Sequence, residues 1–294
     1  MAETSAVLSY SPLSAGFGVV VDFDPEVELS DAEVECFRAL FSEHHLLLVR
    51  GREVSAEAHR RLLSYLDEVI VQECVSNKGH EAAVAKRGEL VFHGDYTAAP
   101  VPMRGLSLYA EQISETAATT RFASGVNAFR RLDAELQTKL QGMSAIHIWE
   151  PDVADRPRRL EDVSEYCIVT DHPIVMQVPD SAASTIYACL LDTAKINECD
   201  QAESDRLFAE IFAKLYADDN IYEHKWQPHD LVIWDNVALQ HARGEVAPEQ
   251  APRVLRRFVF GDRQAYEDFM ADKLERERRW KAAGSPGHGT TGNY

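Results

Sequence analysis

The sequence predicts an α+β protein whose mainly β core, a sandwich or barrel, is flanked by helices. Three observations carry that prediction. Many short apolar or alternating runs are separated by turn residues, two amphipathic stretches stand near the start, and no Rossmann glycine pattern or phosphate-binding loop occurs. With 45% apolar and 27% charged residues, a 294-residue chain can bury one large core of this kind. No internal repeat is visible, so a single domain is expected over residues 1–283, with a Gly/Ser/Thr-rich flexible tail at 284–294.

The elements follow in order. Ser30 and Glu33 form a capping-box pattern, and Val34, Phe37, Leu40 and Phe41 repeat at helical spacing, which predicts a helix over Ser30–Glu43. The run from His45 to Arg50 reads as a buried strand. A second helix is expected over about Ser55–Glu68, with Leu62, Leu63 and Leu66 on its apolar side. Residues 72–90 are polar and read as a long loop, a candidate lid. Leu90–Phe92 reads as a strand that would deliver His93 and Asp95, since residues two apart on a strand share a face.

Further on, Leu106–Glu111 and Thr119–Ala123 read as strands and Phe129–Leu140 as a helix. The charged segment 150–165, with Pro151 and Pro157, is a second candidate lid. Its Arg158 and Arg159, like Lys86 and Arg87, read as solvated loop charges, one of which either lid could bring inward over an anionic substrate. Ile168–Val178 and Thr185–Leu191 read as β segments. Asp205–Tyr216 reads as a helix, strands follow near 222–226, 231–234 and 253–260, and Arg263–Lys281 reads as a charged helix.

Composition excludes several classes. A formal charge of −18 argues against nucleic acid or an anionic membrane as partner, both of which call for a basic footprint. No apolar run approaches the roughly 20 residues of a membrane helix. Met1–Pro12 lacks the basic start and apolar stretch of a secretory signal. Five dispersed cysteines without a C-x-x-C pair fit a reduced, cytoplasmic protein. The partner expected is a small molecule, and an anionic one is compatible with the local arginine cluster Arg253, Arg256 and Arg257. A homo-oligomer is equally compatible with the sequence.

His93-Gly94-Asp95, followed far downstream by His241, can give two imidazoles and one carboxylate to one face of a metal, leaving other positions open. That ligand set suits a non-haem Fe(II) oxygenase. It would also serve a zinc hydrolase or lyase with an activated water, and a binding protein without turnover could retain it. The rival histidines His147, His172, His224 and His229 stand in no comparable array. Trp226 and Trp234 read as core residues, Asp235 and Asn236 as shaping the turn before His241.

The segment Trp226-Q-P-H-D-L-V-I-W-D-Asn236, then His241-A-Arg243, then Arg253-V-L-R-Arg257, resembles the taurine dioxygenase/TfdA family of Fe(II)- and 2-oxoglutarate-dependent oxygenases. The resemblance runs from about Leu46 to Gly261. The His44–Gly51 run and the end of the motif are also similar to the branch acting on tyrosine isonitrile. The resemblance implies a double-stranded β-helix (jelly-roll) barrel with iron on His93, Asp95 and His241. It implies Thr120 and Arg253 for the distal carboxylate of 2-oxoglutarate, and Arg257 for the anionic end of the substrate. It further implies O2 as oxidant, release of succinate and CO2, and hydroxylation or desaturation of a small carboxylate-bearing metabolite.

Two departures from the family pattern stand out. The step from His241 to Arg253 is one residue longer than usual, so Arg256 competes with Arg257 for the substrate role. Glu89 replaces the asparagine of the taurine enzymes, which argues against taurine itself. Tyr96 is a further candidate for the substrate pocket. Asp95 also excludes a halogenase, which needs a small residue there to admit chloride.

Overall fold

The computed structural model describes residues 8–76, 88–114, 117–151, 156–246 and 253–284. In chain order the elements are β1 (Ser9–Pro12), β2 (Val19–Asp22), α1 (Asp31–His44), β3 (Leu46–Val49), α2 (Ala56–Ser64), β4 (Val69–Ser76), β5 (Gly88–His93), β6 (Gly105–Gln112) and β7 (Thr120–Ser124). Then come α3 (Gly125–Arg130), α4 (Ala134–Leu140), β8 (Ser144–Trp149), β9 (Ile168–Pro173), β10 (Val175–Gln177), β11 (Ser184–Ile186) and β12 (Thr193–Ile196). The chain closes with α5 (Gln201–Leu215), β13 (Ile221–His224), β14 (Leu231–Asp235), β15 (Leu239–Val246), β16 (Val254–Phe260) and α6 (Arg263–Ala282).

Two sheets make the core. The larger has the order β1-β2-β3-β14-β6-β16-β4 and the smaller β13-β7-β15-β5, while β12-β8-β9 and β10-β11 form minor sheets. Leu46, Leu48, Leu106, Leu108, Val232, Trp234, Leu255 and Val259 of the large sheet share one apolar cluster with Phe122 and Leu239 of the small one. The alternate residues of the large sheet, among them Leu47, Val49, Tyr109, Ile233, Phe258 and Phe260, pack outward on Phe37, Phe41, Leu62 and Leu63 of α1 and α2. The strand period of two thus sorts each strand into an inner face and a helix-covered outer face. The outer face of the small sheet carries Phe92, Ala123 and Ala242 and is covered by α3, α4 and α5.

The Ser30 cap is formed as its pattern predicts. Glu33 N donates to Ser30 Oγ (3.4 Å) and Ser30 N to Glu33 Oε2 (2.8 Å), and His45, at φ 62°, turns the chain into β3. The 129–140 helix is instead two, α3 and α4, because Asp133 accepts from Leu136 N and starts a new helix. The expected 72–90 loop is strand at both ends: β4 runs to Ser76 and β5 begins at Gly88, with 77–87 outside the described residues. As an edge strand β4 pairs on one side only, so it tolerates the Gln72 and Glu73 that made it read as loop.

The 150–165 segment is pinned where it is described, with a short 3-10 turn at Leu160–Asp162 and Arg158 N donating to Leu191 O (2.8 Å). Residues 152–155 lie outside the described residues, as does the tail beyond Gly284. Arg158 is no solvated charge: it is buried and paired with buried Glu150 at 2.6 Å. Among the described residues no helix is long and apolar enough to cross a membrane. All five cysteines are free thiols.

Candidate active site

Register brings the two histidines together. β15 pairs with β5 so that His241 lies opposite His93, and the ring centroids stand 4.2 Å apart. Asp95 does not sit on the strand as expected, because β5 ends at His93 and Asp95 falls in the turn that follows. A side-chain clamp places it there. Asn236 accepts from Asp95 N through Oδ1 (3.0 Å) and donates from Nδ2 to Asp95 O (2.8 Å). Asp235, next to Asn236, is fully buried, ion-paired with Arg104, and accepts from Val237 N and Ala238 N. These two residues therefore do more than turn the chain toward His241: they fix the carboxylate opposite it.

One ligand atom from each of His93, Asp95 and His241 falls within 4.8 Å of the others. Both Nε2 atoms lie 3.7 Å from an Asp95 oxygen. His93 Nδ1 lies 2.9 Å from Val91 O; a carbonyl only accepts, so Nδ1 carries a proton and Nε2 is the atom left to face Asp95. Burial opposes a charge on this ring, but Asp95 outweighs it and raises the His93 pKa above the ordinary value, so a metal taking Nε2 displaces a proton there. Burial, reinforced by His93, lowers the pKa of His241 to about 3, which keeps it a neutral donor. Burial opposes the charge on Asp95, but Arg257 and the two imidazoles outweigh it and hold the carboxyl well below the usual range. Two imidazoles and an ionised carboxylate on one side of an open space fit a divalent first-row metal.

The triad opens onto a cavity of about 350 Å³. Thr120 and Arg253 line it together. Thr120 Oγ1 accepts from Trp226 Nε1 (3.0 Å) and from Arg253 Nη2 (3.3 Å), and the Arg253 guanidinium lies 5.8 Å from the Trp226 ring centre. Burial, with Arg243 nearby, brings the Arg253 pKa down to about 9, still cationic at neutral pH. Trp226 is buried as expected, yet it also orients Thr120. Trp234 is core and cavity wall at once, 5.1 Å from the His241 ring.

Arg257 lines the cavity and Arg256 does not. The two are neighbours on β16, opposite Leu108 and Tyr109 of β6 respectively, so they face opposite sides of the sheet. Arg256 points into the helix-covered face, where it bonds Val54 O and His59 Nδ1 (3.3 Å), pairs with Glu111 (3.4 Å) and stacks 4.5 Å over Tyr109. The substrate role considered for Arg256 is thereby removed. Arg257 forms ion pairs with Asp95 (2.7 Å) and with Glu73 of β4. Tyr96, held at φ 61°, lies 5.6 Å beneath the Arg257 guanidinium in the cavity wall, whereas Tyr109 packs outside it.

The wall also includes Arg158, which the sequence offered only as a lid charge, and Glu73, Trp149, Asp192 and, from α6, Phe269, Met270 and Lys273, which were not singled out from the sequence. The i, i+3, i+4, i+7 spacing of Tyr266, Phe269, Met270 and Lys273 was a usable signal, masked by the charges around it.

Comparison with known proteins agrees with this geometry. The profile of the taurine catabolism dioxygenase TauD, TfdA family matches residues 9–259. The chain is 25% identical over 259 residues to an (S)-phenoxypropionate/alpha-ketoglutarate-dioxygenase of Sphingobium herbicidovorans, covering 81% of this chain and 89% of that protein. It is 27% identical over 258 residues to the tyrosine isonitrile desaturase of Pseudomonas aeruginosa, covering 79% and 83%. A taurine dioxygenase from Burkholderia xenovorans superposes with a TM-score of 0.74 at 20% identity, covering 87% of this chain and 92% of that one, which speaks to fold alone. The chain therefore belongs to the TauD/TfdA family and is an enzyme of the Fe(II)- and 2-oxoglutarate-dependent oxygenase class.

Proposed function

We propose that this enzyme hydroxylates or desaturates a small carboxylate-bearing metabolite, an amino-acid derivative or natural-product intermediate, with release of succinate and CO2. The observation that carries the proposal is the joining, in one cavity, of the His93–Asp95–His241 triad with the buried Thr120–Arg253 pair. The relatives named for phenoxypropionate and for tyrosine isonitrile support a carboxylate-bearing or natural-product substrate. The two facing sheets, with helices outside, support a jelly-roll barrel forming one domain over 1–283. Free cysteines support a cytoplasmic location.

His93, Asp95 and His241 would hold Fe(II), which, when bound with 2-oxoglutarate and O2, supplies the oxidising power for an unactivated C–H bond. The chain's own work is binding and exclusion of water. Arg253 would grip the distal carboxylate of 2-oxoglutarate with charge-assisted bonds strengthened by burial. Thr120 Oγ1 already accepts from Trp226 and Arg253, so its own proton is available to donate to that carboxylate. Asn236 holds the Asp95 backbone still, and Arg257 keeps its carboxyl ionised. Tyr96 and Arg257 border the space left for substrate.

The test is succinate formation from 2-oxoglutarate across a panel of aryl and amino-acid-derived carboxylates. Turnover should require added iron and O2 and should vanish in Asp95→Ala, where a ligand is lost. Full turnover in Asp95→Ala would overturn the proposal.

A further inference from the structure

An anionic substrate needs a cation whose charge is not already spent, and the cavity's cations differ in this respect. Arg253 is engaged with Thr120 at the place proposed for the cosubstrate, and Arg243 lies close enough to lower its pKa. Arg158 is tied to Glu150 in a buried pair. Arg257 faces two carboxylates, Glu73 and Asp95, and even with Asp95 given to a metal it keeps Glu73. A substrate anion at Arg257 would have to displace Glu73 or sit beside it, and like charges in a partly desolvated pocket repel strongly.

Lys273 is different. Among the described residues no carboxylate pairs with it, and its ammonium lies 5.4 Å from the centre of the Trp149 ring. Cation–π contact holds the ammonium in place without neutralising it. Lys273 closes the helical stripe Tyr266, Phe269, Met270, Lys273, which faces Tyr96, Ala98 and Trp149. Phe269 is buried there, and its ring meets Tyr96 edge-on at 6.1 Å.

The helix is anchored along its length. Arg263 donates to Val69 O (2.9 Å), Arg276 to Cys167 O (2.6 Å), and Arg279 pairs with Glu165 (2.5 Å). All of α6 lies beyond residue 259, where the family match ends.

We propose that α6 is the substrate-recognition wall of this enzyme, with Lys273 receiving the substrate's anionic group while Trp149, Phe269, Met270 and Tyr96 bed its flat apolar body. The assignment rests on the oxygenase function proposed above and moves anion recognition from Arg257 to Lys273. A lysine is a point charge on a flexible stem, so it accepts a carboxylate without demanding the two-pronged geometry an arginine favours.

The test uses protein loaded anaerobically with Fe(II) and saturating 2-oxoglutarate, titrated by calorimetry with 3-phenylpropionate and with its uncharged amide. The wild type should bind the anion at least tenfold tighter than the amide. Lys273→Met should abolish that preference by weakening the anion alone, and Lys273→Arg should keep it. Phe269→Ala should weaken both probes by a similar factor. The visible iron–keto-acid band, recorded on each sample, separates the two levels of inference. Its absence from the wild type would sink the oxygenase function, whereas an intact band with no binding of either probe, equal binding of both by the wild type, or an unchanged preference in Lys273→Met would sink the role of α6.

Discussion

On the strand-built side of the cavity, His93 and His241 are paired across β5 and β15, Thr120 begins β7, Arg257 lies within β16, and Arg253 immediately precedes β16. On the other side, Phe269, Met270 and Lys273 hang from one face of α6 and meet Tyr96 and Trp149. The first set is placed by backbone register, which cannot shift by one residue without turning every side chain to the wrong face. The second is placed by side chains on a helix docked against the barrel, where one residue can change without disturbing its neighbours. On the roles proposed above, the strand side would fix which chemistry is done, and the α6 side would be free to decide on what.

The largest effect that can break this division is on cosubstrate binding. Arg253→Met should raise the 2-oxoglutarate concentration for half-maximal turnover by about a hundredfold, since it removes a charge-assisted grip worth roughly 1.5–3 kcal/mol. A change under threefold would mean that the strand side does not bind the keto acid as described. Next is the Asn236 clamp. Asn236→Ala should weaken iron binding about 10- to 100-fold in competition with a chelator, as loss of groups that orient metal ligands typically does. Unaltered iron affinity would show that the turn alone places Asp95.

Arg256 sharpens the contrast within one strand. Arg256→Met should cost about 1–3 kcal/mol of stability by stranding His59 and Val54 O, while iron and 2-oxoglutarate binding stay as in the wild type. A normal melting curve with impaired 2-oxoglutarate binding would reverse its assignment. The smallest effect concerns pH. On β8, His147 packs against His172 and Tyr187, and burial first, then His172, lowers its pKa to about 3. Its folded value lies below the ordinary 6.5, so the stability it contributes is present above pH 6.5 and lost as pH falls toward 3. At pH 5 the loss is about 2 kcal/mol, and urea melts of His147→Gln should show a correspondingly flatter pH dependence between 7 and 5.

Much of this site was legible in the residues. The capping box at Ser30, the histidines with Asp95, and the four-residue step from Arg253 to Arg257 all carry a period or a chemistry that survives folding. Arg256 was ambiguous because both faces of β16 are buried, so alternation alone does not say which face meets the cavity. Glu73 was hidden in a polar stretch that proved to be an edge strand, and Arg158 in a charged segment that folds inward onto Glu150. Asn236 read only as a turn former before His241, since a clamp on a backbone 141 positions away exists only after the sheets assemble. In α6 only Tyr266 and Phe269 are buried, so its inward stripe was outnumbered by charges.

The central claim is that the triad and Arg253 form one iron and keto-acid site. It is tested most directly by titrating metal-free protein anaerobically with Fe(II) and then 2-oxoglutarate while following the visible charge-transfer band. A saturable band in the wild type that needs far more 2-oxoglutarate in Arg253→Met is the predicted result. Folded, iron-loaded protein that develops no band at saturating 2-oxoglutarate would contradict it.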